Sequence, residues 1–344
     1  MAHPDGVVCR RDGAVGHITL DRPASRNALD LTMIRRMLDA LARWEHDTGI
    51  GAVAIDSSDE RTFCAGGDIV AVHEAARGDP EHARLLWREE YRLDARIAHY
   101  PKPVVTLMDG LALGGGMGIG CHASVRVVGD RAALAMPEVA IGLAPDVAGT
   151  LLLSRAPGRI GTHLALTGRR VGPHDAVYCG LADHVVPSSS LPSLVADLVA
   201  GATPDAVAAK YAVEPRFTMP TQRVWVDACY DAADVKTIMR NLARRTEPEA
   251  ADALDTIASG APTALAVTRR ALEIAPTHTG IDQCLRQDYR VCSRFLRHPD
   301  LAEGIRAAVI DKDRTPRWNP ADPTTVTDTD VERFFKPLDD DLVL

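Results

Sequence analysis

Two acids in one apolar segment of this 344-residue sequence are candidates for catalytic residues. Glu138 and Asp146 lie in MPEVAIGLAPDVAGT, where most other side chains are apolar or small. An unpartnered carboxylate is costly to bury. A structural explanation is that Asp146 caps a helix predicted at VAGTLLLSRA and that Glu138 pairs with Arg155 or Arg159. The catalytic explanation is that the acids serve as proton carrier or nucleophile, and their spacing leaves both explanations open.

Two glycine-rich loops, each after a predicted strand, could supply backbone N–H groups to one oxygen. The first is RTFCAGGDIV, in which residues 65–67 come just before Asp68; the structural alternative is a glycine turn with Asp68 as the cap of the next helix. The second is DGLALGGGMGIGCHA, with three consecutive glycines after a strand. One N–H from each loop could stabilise the charge that develops on a carbonyl oxygen, with Glu138 and Asp146 as the local acids beside it.

A dinucleotide-binding fingerprint is a poorer interpretation of the second loop. Gly118, Gly120 and Ala123 satisfy G-x-G-x-x-G/A, but the predicted strand ends near Met108, about ten residues too early for that motif. The sequence also has no G-x-S-x-G, H-E-x-x-H or G-x-x-x-x-G-K-[ST] pattern, which excludes the usual serine hydrolase, zincin and P-loop interpretations. We interpret His122, beside the loop, as structural.

A third acid, Glu90, lies on the apolar face of a predicted helix. In ARLLWREEYRLDARIAHY it shares one helical stripe with Leu86, Leu93 and Ile97, whereas Glu89 points away. A carboxylate on such a face is either salt-bridged or lines a cavity. The sequence leaves both open.

The elements that must position these residues alternate between strand and helix in the first half of the chain. VGHITL, GAVAIDS, PVVTLMDG and VRVVGD predict strands, and ALDLTMIRRMLDALARWEHD predicts an amphipathic helix capped by Asn27 or Asp30. This alternation is typical of an α/β fold. We predict an α/β core over residues 1–190, a helical region over 191–315 and a surface-wrapping tail over 316–344. Four prolines are predicted to interrupt the helical region: Pro215, Pro220, Pro248 and Pro262.

Composition and charge narrow the function classes. The net charge of −8 offers no broad basic surface, which argues against nucleic acid or anionic membrane as a partner. The seven cysteines are scattered and odd in number, so neither a disulfide framework nor a metal site is expected. No run of ~18 apolar residues occurs that could span a membrane. The charged N-terminal residues are not followed by the apolar region of a signal peptide. We predict a cytoplasmic protein.

Four segments in this order resemble the enoyl-CoA hydratase/isomerase (crotonase) superfamily: DRPASRNALD, RTFCAGGDI, DGLALGGGMGIG and AMPEVAIGLAPDVAGT. REEY, the MPE…IGL.PDV pairing and EGIRAAVIDKDRTPRWNPAD extend the resemblance to the 3-hydroxyisobutyryl-CoA hydrolase branch, over roughly residues 5 to 335. The resemblance implies a crotonase-like spiral of ββα units with a helical C-terminal region. It also implies hydrolysis of a short-chain hydroxyacyl-CoA thioester, 3-hydroxyisobutyryl-CoA, in valine breakdown.

The same resemblance implies roles for individual residues. Glu138 and Asp146 would be the catalytic pair, and the N–H groups of Gly67 and Gly115 would form an oxyanion hole. The predicted substrate-binding residues are Glu90, Gly114 and Gly116. The predicted CoA-binding residues are Arg26, Ala28, Ala65, Asp68 and Ile69. Coenzyme A would enter as part of the acyl-CoA substrate, and no cofactor is expected.

Two positions separate the hydrolase from similar hydratases. Those hydratases carry a second catalytic glutamate where this chain has Gly118, and they tend to have glycine where it has Asp146. A hydratase or isomerase that uses Glu138 alone, and a non-catalytic acyl-CoA-binding protein, are the alternatives. The branch often continues the PDV run with further glycines, whereas this chain has AGTLLL there. This difference bears on the identity of the acyl group more than on the type of reaction. Trimers or pairs of trimers are common in the superfamily, so a homo-oligomer is one option.

Overall fold

The computed structural model describes residues 3–322 and 325–344. Contacts between residues divide the chain into two units, each assembled from three segments. The first unit comprises Met1–Asp68, Glu89–Ala135 and Arg170–Phe217. The second comprises Ile69–Arg88, Met136–Arg169 and Thr218–Leu344. The three-part division based on composition stays a prediction, and its residues 1, 2, 323 and 324 lie outside the described residues.

The strands of the described residues all lie in the first unit. They are Val7–Asp12 (β1), Val15–Leu20 (β2), Ala52–Ser57 (β3), Thr62–Cys64 (β4), Val104–Met108 (β5), Leu111–Leu113 (β6), Val125–Val128 (β7), Ala133–Ala135 (β8) and His184–Val185 (β9). The four predicted strands are confirmed as β2, β3, β5 and β7. The β-branched residues of these runs suit a pleated, buried surface.

Two sheets are built from a repeated pair of strands. The order in the larger sheet is β1-β2-β3-β5-β7-β9, and only β1 and β2 are antiparallel. The smaller sheet has the parallel order β4-β6-β8. Each of the pairs β3–β4, β5–β6 and β7–β8 therefore gives its first strand to the larger sheet and its second to the smaller. This repetition places the ends of β4, β6 and β8 side by side.

The α-helices of the described residues extend from residue 31 to residue 333. They are Leu31–Glu45 (α1), Ile69–Arg77 (α2), Pro80–Ala98 (α3), Gly115–Cys121 (α4), Gly149–Ser154 (α5), Ile160–Thr167 (α6), Pro173–Tyr178 (α7), Leu191–Val199 (α8), Pro204–Tyr211 (α9), Met219–Tyr230 (α10), Val235–Leu242 (α11), Pro248–Ser259 (α12), Pro262–Ile274 (α13), Ile281–Phe295 (α14), Pro299–Ile305 (α15) and Asp328–Arg333 (α16). A π-helical turn, Arg306–Ile310, follows α15.

Helix α1 shows how local sequence determines an element. The Asp30 side chain accepts the N–H of Met33 at 2.9 Å, so of the two predicted caps Asp30 is the one used. Asn27 is buried, and its side chain accepts from Arg22 N in the preceding turn instead.

In the core of the first unit, valines of the larger sheet pack on Leu194, Leu198 and other apolar residues of α8 and α9. Each such side chain removed from water contributes about 1.5–3 kcal/mol.

Prolines in the C-terminal region begin helices rather than merely interrupting them. Pro248 and Pro262 are the first residues of α12 and α13, and Pro220 lies in the first turn of α10. Proline suits these positions because its fixed φ matches the helix and its missing N–H would have no acceptor there. Pro215 lies between α9 and α10. Within the described residues, no helix is long and apolar enough to cross a membrane.

Candidate active site

The two glycine loops lie at the carboxyl ends of neighbouring parallel strands in the first unit. β4 ends at Cys64 and leads into Ala65, Gly66 and Gly67, whereas β6 ends at Leu113 and leads through Gly114 into α4. Because β4 pairs with β6 in parallel, the two loops leave the sheet at the same edge. Ligands commonly bind at such edges in α/β proteins.

The N–H groups of Gly67 and Gly115 do not take part in the backbone hydrogen bonds that hold their own segments. Leu29 donates to Gly66 O at 2.8 Å and accepts from Asp68 N at 2.9 Å, so the intervening Gly67 N–H faces away from Leu29. Gly115 is the first residue of α4, where an N–H has no acceptor within the helix. A Cβ built on Gly115 would lie 3.2 Å from Gly67 N. The structure thus brings together the two predicted donors.

Glycine is required at the neighbouring positions for two different reasons. Gly114 has φ 47 and ψ −117, a conformation that side chains disfavour. A Cβ on Gly116 would lie 2.3 Å from Cys64 O, so α4 could not approach β4 with any larger residue there. Gly120 lies within α4, where a Cβ would lie 2.5 Å from Met108 Sδ. Gly118 and Gly120 therefore belong to a helix interior and do not form a dinucleotide-binding turn.

Glu90 lies beside both glycines, as its place on the apolar stripe of α3 predicts. Its side chain is buried together with Leu86 and Leu93, whereas Glu89 pairs with Arg92 at 2.9 Å. Cβ atoms built on Gly115 and Gly67 would lie 2.0 Å from Glu90 Oε1 and 3.4 Å from Oε2. The Glu90 carboxylate is therefore adjacent to the two predicted donors.

Cys64 is the thiol nearest to these loops, and its environment makes it a poor nucleophile. Its Sγ donates to Asn27 O at 3.1 Å within the protein interior. Burial raises the pKa of Cys64 to about 12, opposed by a hydrogen bond with the Gly66 backbone and assisted by the carboxylates of Glu90 and Asp94. Because the reactive form of cysteine is the thiolate, Cys64 is inert at neutral pH.

The predicted CoA-binding residues of the first unit lie on two adjoining segments. Ala65 N donates to Arg26 O at 3.0 Å, which places 26–28 beside 65–68. Arg22 links them, since its Nη1 donates to Ala28 O at 2.9 Å and to Asp68 Oδ2 at 3.1 Å. Arg26 itself is exposed.

Sequence analysis missed two residues that hold these segments. Arg22 was assigned no role, although it lies in the same DRPASRNALD segment as Arg26. Asn27 was assigned only as a helix cap, yet it accepts from Arg22 N and donates to Ser57 Oγ, Thr62 O and Phe63 O. Their common signal was the DRPASRNALD segment, which contains both residues.

Ile69, the remaining predicted CoA contact, begins α2 in the second unit. It is half-buried.

Glu138 belongs to the second unit and opens a short 3-10 helix, Glu138–Ile141. Its carbonyl oxygen accepts from the N–H groups of Gly142 and Leu143, which closes the turn. Gly142 has φ 74, and a Cβ there would lie 2.3 Å from Asp300 O, so the turn packs closely on α15. The Glu138 side chain is 6% exposed. Arg159, one of the two arginines predicted to pair with Glu138, donates to Asp231 at 2.5 Å.

Asp146 lies in the turn before α5, and its side chain does not cap that helix. The helix begins at Gly149 with Ala148 as its N-cap and has no side-chain cap, so the capping explanation is wrong. Asp146 uses its main-chain oxygen instead, which accepts from Gly149 N at 2.7 Å. The side chain is 6% exposed, and the thiol of Cys292 lies 3.8 Å from Oδ2. The two acids are thus both buried in the second unit.

Residues 3–322 and 325–344 contain no group of three or more His, Cys, Asp or Glu that could hold a metal ion. His122, interpreted as structural, is the C-cap of α4.

Comparison with known proteins assigns the fold to a family. Residues 15–335 match the family described as enoyl-CoA hydratase/isomerase. The chain is also 38% identical to a Rattus norvegicus protein named "3-hydroxyisobutyryl-CoA hydrolase, mitochondrial", covering 96% of this chain and 89% of that one. The chain belongs to the enoyl-CoA hydratase/isomerase family. The similarity to the rat protein confirms the hydrolase branch suggested by the sequence motifs.

Solved structures of this family confirm the crotonase fold. A protein of Mycobacterium thermoresistibile titled carnitinyl-CoA dehydratase is 43% identical with a TM-score of 0.95, and covers 98% of both chains. An enoyl-CoA hydratase of Rhodobacter sphaeroides 2.4.1 is 42% identical with a TM-score of 0.93, and covers 98% of this chain and 100% of that one. The names of these family members differ in reaction, so the reaction of this chain must be argued from its residues.

Proposed function

We propose that the chain hydrolyses 3-hydroxyisobutyryl-CoA to 3-hydroxyisobutyrate and CoA. The observation that carries the proposal is the pair of buried acids, Glu138 and Asp146, on a chain with Gly118 where similar hydratases have their second glutamate. Full-length similarity to a protein named for this hydrolysis supports the same reaction. Valine breakdown in the cytoplasm is the setting we propose, although the rat relative is named mitochondrial.

In the proposed mechanism, the thioester oxygen accepts hydrogen bonds from the N–H groups of Gly67 and Gly115. These donors stabilise the negative charge that grows on the oxygen when the carbonyl carbon becomes tetrahedral. Gly114 and Gly116 keep the loop close to the acyl group, and Glu90 lines the acyl end. Arg26, Ala28, Ala65, Asp68 and Ile69 contact the CoA portion.

Glu138 attacks the thioester carbonyl or removes a proton from the water that attacks it, while Asp146 orients the water or the substrate hydroxyl. The C–S bond breaks, and the sulfur leaves as CoA thiolate and takes up a proton. The oxygen that replaces sulfur comes from water when Glu138 is the base, and from water or the Glu138 carboxylate when Glu138 is the nucleophile, in which case water restores the carboxylate. No cofactor is needed for this balance, because CoA is part of the substrate. No serine or cysteine nucleophile is needed either, and Cys64 is held as the neutral thiol.

The second candidate function is reversible hydration of an enoyl-CoA with Glu138 as the single acid–base group. The names of the two solved family members favour it. It uses the same pair of N–H donors, since an enolate and a tetrahedral intermediate both place charge on the thioester oxygen. The two candidates therefore differ in whether the C–S bond is broken.

Thiol release distinguishes these candidates. The purified protein is given 3-hydroxyisobutyryl-CoA and crotonyl-CoA in parallel, with free CoA detected by a thiol reagent and loss of the enoyl double bond by absorbance. We expect CoA release from the hydroxyacyl ester, lost in Glu138→Gln and Asp146→Asn. The control Glu332→Gln removes an exposed acid paired with Arg270 and should leave turnover unchanged. Hydration of crotonyl-CoA without CoA release would refute the hydrolase proposal, and binding without either reaction would indicate a non-catalytic protein.

Label in the Glu138 carboxyl after a single turnover in oxygen-18 water would identify Glu138 as the nucleophile. If Glu138 is the nucleophile, water attack on the mixed anhydride can leave the label in the Glu138 carboxyl, which mass spectrometry of its peptide detects. If Glu138 is the base, the label enters only the released acid.

A further inference from the structure

Helix α14 carries a fully buried acid that the proposed mechanism does not use. Asp288 is 2% exposed and is separated by four residues from Cys284 on one side and from Cys292 on the other. This spacing places all three side chains on one face of the helix. The same face contacts the turn that follows Asp146, through Cys292 at one end and Thr150 Oγ1, 3.4 Å from Cys284 Sγ, at the other.

The turn after Asp146 has a backbone conformation that its own residues disfavour. The hydrogen bond from Gly149 N to Asp146 O closes a four-residue turn. Its central residues, Val147 and Ala148, have φ 50 and φ 55. Two successive positive φ values characterise a type I′ turn, which favours Asn-Gly, and a β-branched valine there is a genuine outlier. Such a conformation persists only where the surrounding structure fixes it.

Asp288 supplies a contact that fixes this turn. Its Oδ2 accepts the N–H of Ala148 at 2.8 Å, across 140 residues of sequence. If the Val147–Ala148 peptide rotated to an ordinary conformation, this N–H would turn away from α14. A buried acceptor would then lose its donor, which is unfavourable in the protein interior. The hydrogen bond and the strained turn therefore depend on each other.

The protonation of Asp288 determines which substitution can replace it. Burial raises the pKa of Asp288 well above its ordinary value, and the Asp146 carboxylate raises it further, against the lowering effect of the Ala148 N–H. Both effects favour the neutral form of Asp288, in which one oxygen can still accept the hydrogen bond from Ala148 N. An asparagine side chain is also neutral and has an acceptor oxygen of the same reach.

We propose that Asp288 is the positioning residue for Asp146: by holding the N–H of Ala148 it keeps the Val147–Ala148 turn in its strained form and so sets the direction of the Asp146 carboxylate. This assignment rests on the proposed function, because it gives Asp146 a task in the reaction. Asp288 acts through the turn and does not contact substrate.

Four variants test the assignment by thiol release and by steady-state kinetics: Asp288→Ala, Asp288→Asn, Ala148→Gly and the double variant Asp288→Ala/Ala148→Gly. We expect Asp288→Ala to lower kcat by about 10²-fold with KM nearly unchanged, because small displacements of a reacting group have effects of this size. Asp288→Asn should keep kcat near wild type. Glycine adopts positive φ without penalty, so Ala148→Gly should be near wild type alone and should restore roughly tenfold of kcat in the double variant.

Two outcomes would overturn the assignment. One is wild-type kcat in Asp288→Ala. The other is no recovery in the double variant together with an equal loss in Asp288→Asn, which a purely structural defect or a need for the proton would give. Each kcat is calculated per mole of folded protein, and the folded fraction is measured by circular dichroism. Poor folding of one variant is then not mistaken for lost positioning.

Amide hydrogen exchange tests the contact without substrate. The Ala148 N–H should exchange much faster in Asp288→Ala than in Asp288→Asn or wild type, and equal exchange in all three would overturn the assignment. If wild type releases no CoA from any hydroxyacyl ester while exchange follows this pattern, the proposed hydrolysis fails and the anchoring of the Asp146 turn by Asp288 stands.

Discussion

Replacing Gly115 by alanine tests the pairing of the two glycine loops. A Cβ at this position would lie 2.0 Å from Glu90 Oε1 and 3.2 Å from Gly67 N. An ordinary van der Waals contact begins near 3.4 Å, so either the Glu90 carboxylate or the start of α4 must move by more than 1 Å. Either movement displaces a group beside the two proposed donors.

The expected effect is a fall in kcat of about 10²-fold, equivalent to about 2.7 kcal/mol of transition-state stabilisation, which is the usual cost of one lost oxyanion donor. The assay is steady-state thiol release, with CoA binding measured by calorimetry. Binding should be nearly unchanged because the proposed CoA contacts lie on 26–28 and 65–69. The matched control is Gly172→Ala, where φ is −75 and no atom lies within 4 Å of the added Cβ. It should behave as wild type.

The double variant Gly115→Ala/Glu90→Ala identifies the cause of the loss. Removing the Glu90 carboxylate removes the shortest predicted contact, so the α4 start can keep its place and part of the lost kcat should return. If Gly115→Ala alone has wild-type kcat, the proposed oxyanion hole is wrong, whatever the double variant does.

Three further predictions concern buried polar groups. Burial raises the pKa of Asp300 to about 6 from an ordinary 3.8, so its contribution to stability is complete below about pH 4 and is lost as pH rises through about 6. Asp300→Asn keeps an acceptor for Asn319 N. The variant should therefore unfold at higher urea than wild type near pH 8 but not near pH 4, with a gain in the free energy of unfolding of at most about 3 kcal/mol. Asn27→Ala should lower the free energy of unfolding by about 3 kcal/mol in urea denaturation, because it leaves several buried partners without their hydrogen bonds, and an unchanged midpoint would contradict the role given to Asn27. Cys64 should resist alkylation by iodoacetamide in the folded protein at neutral pH and react once the protein is unfolded in urea, since its pKa of about 12 keeps it a thiol; rapid labelling of the folded protein would contradict this.

Periodicity and small-residue patterns were sufficient for the elements that follow local rules. The runs that became β2, β3, β5 and β7 are short, apolar and bounded by turn residues, and the Glu90 stripe follows the helical period of α3. The adjacency of Gly67 and Gly115 depends on β6, a strand that was not predicted. The predicted strand before the second loop ends near Met108, whereas the loop follows β6, which pairs with β4 in the smaller sheet. Their roles were suggested by resemblance and are still predictions.

Interactions between distant segments could not be read from the sequence. Capping was one of the two explanations left open for Asp146, because an acid before a helix often serves that purpose, but the positive φ of Ala148 moves the helix start to Gly149. Asp288 lies on an apolar helix face just as Glu90 does, and its spacing from Cys284 and Cys292 was visible in IDQCLRQDYRVCSRF. What the sequence lacked was the partner, since nothing local indicates which backbone N–H a buried carboxyl will hold.

The choice between hydrolysis and hydration depends on where a carboxylate directs water, and both reactions use the same stabilised oxygen. Adding water to a double bond needs a proton delivered to the α carbon and water delivered to the β carbon, which two opposed acids perform together. With glycine at position 118 the second delivery must come from Glu138 as well, so hydration should be slow relative to CoA release even if it occurs. A Gly118→Glu variant should raise the ratio of crotonyl-CoA hydration to thiol release, with Gly172→Ala as the control that should not. If the ratio in wild type already favours hydration, then Glu138 alone is sufficient for both deliveries, and Asp146 cannot be the feature that decides the reaction.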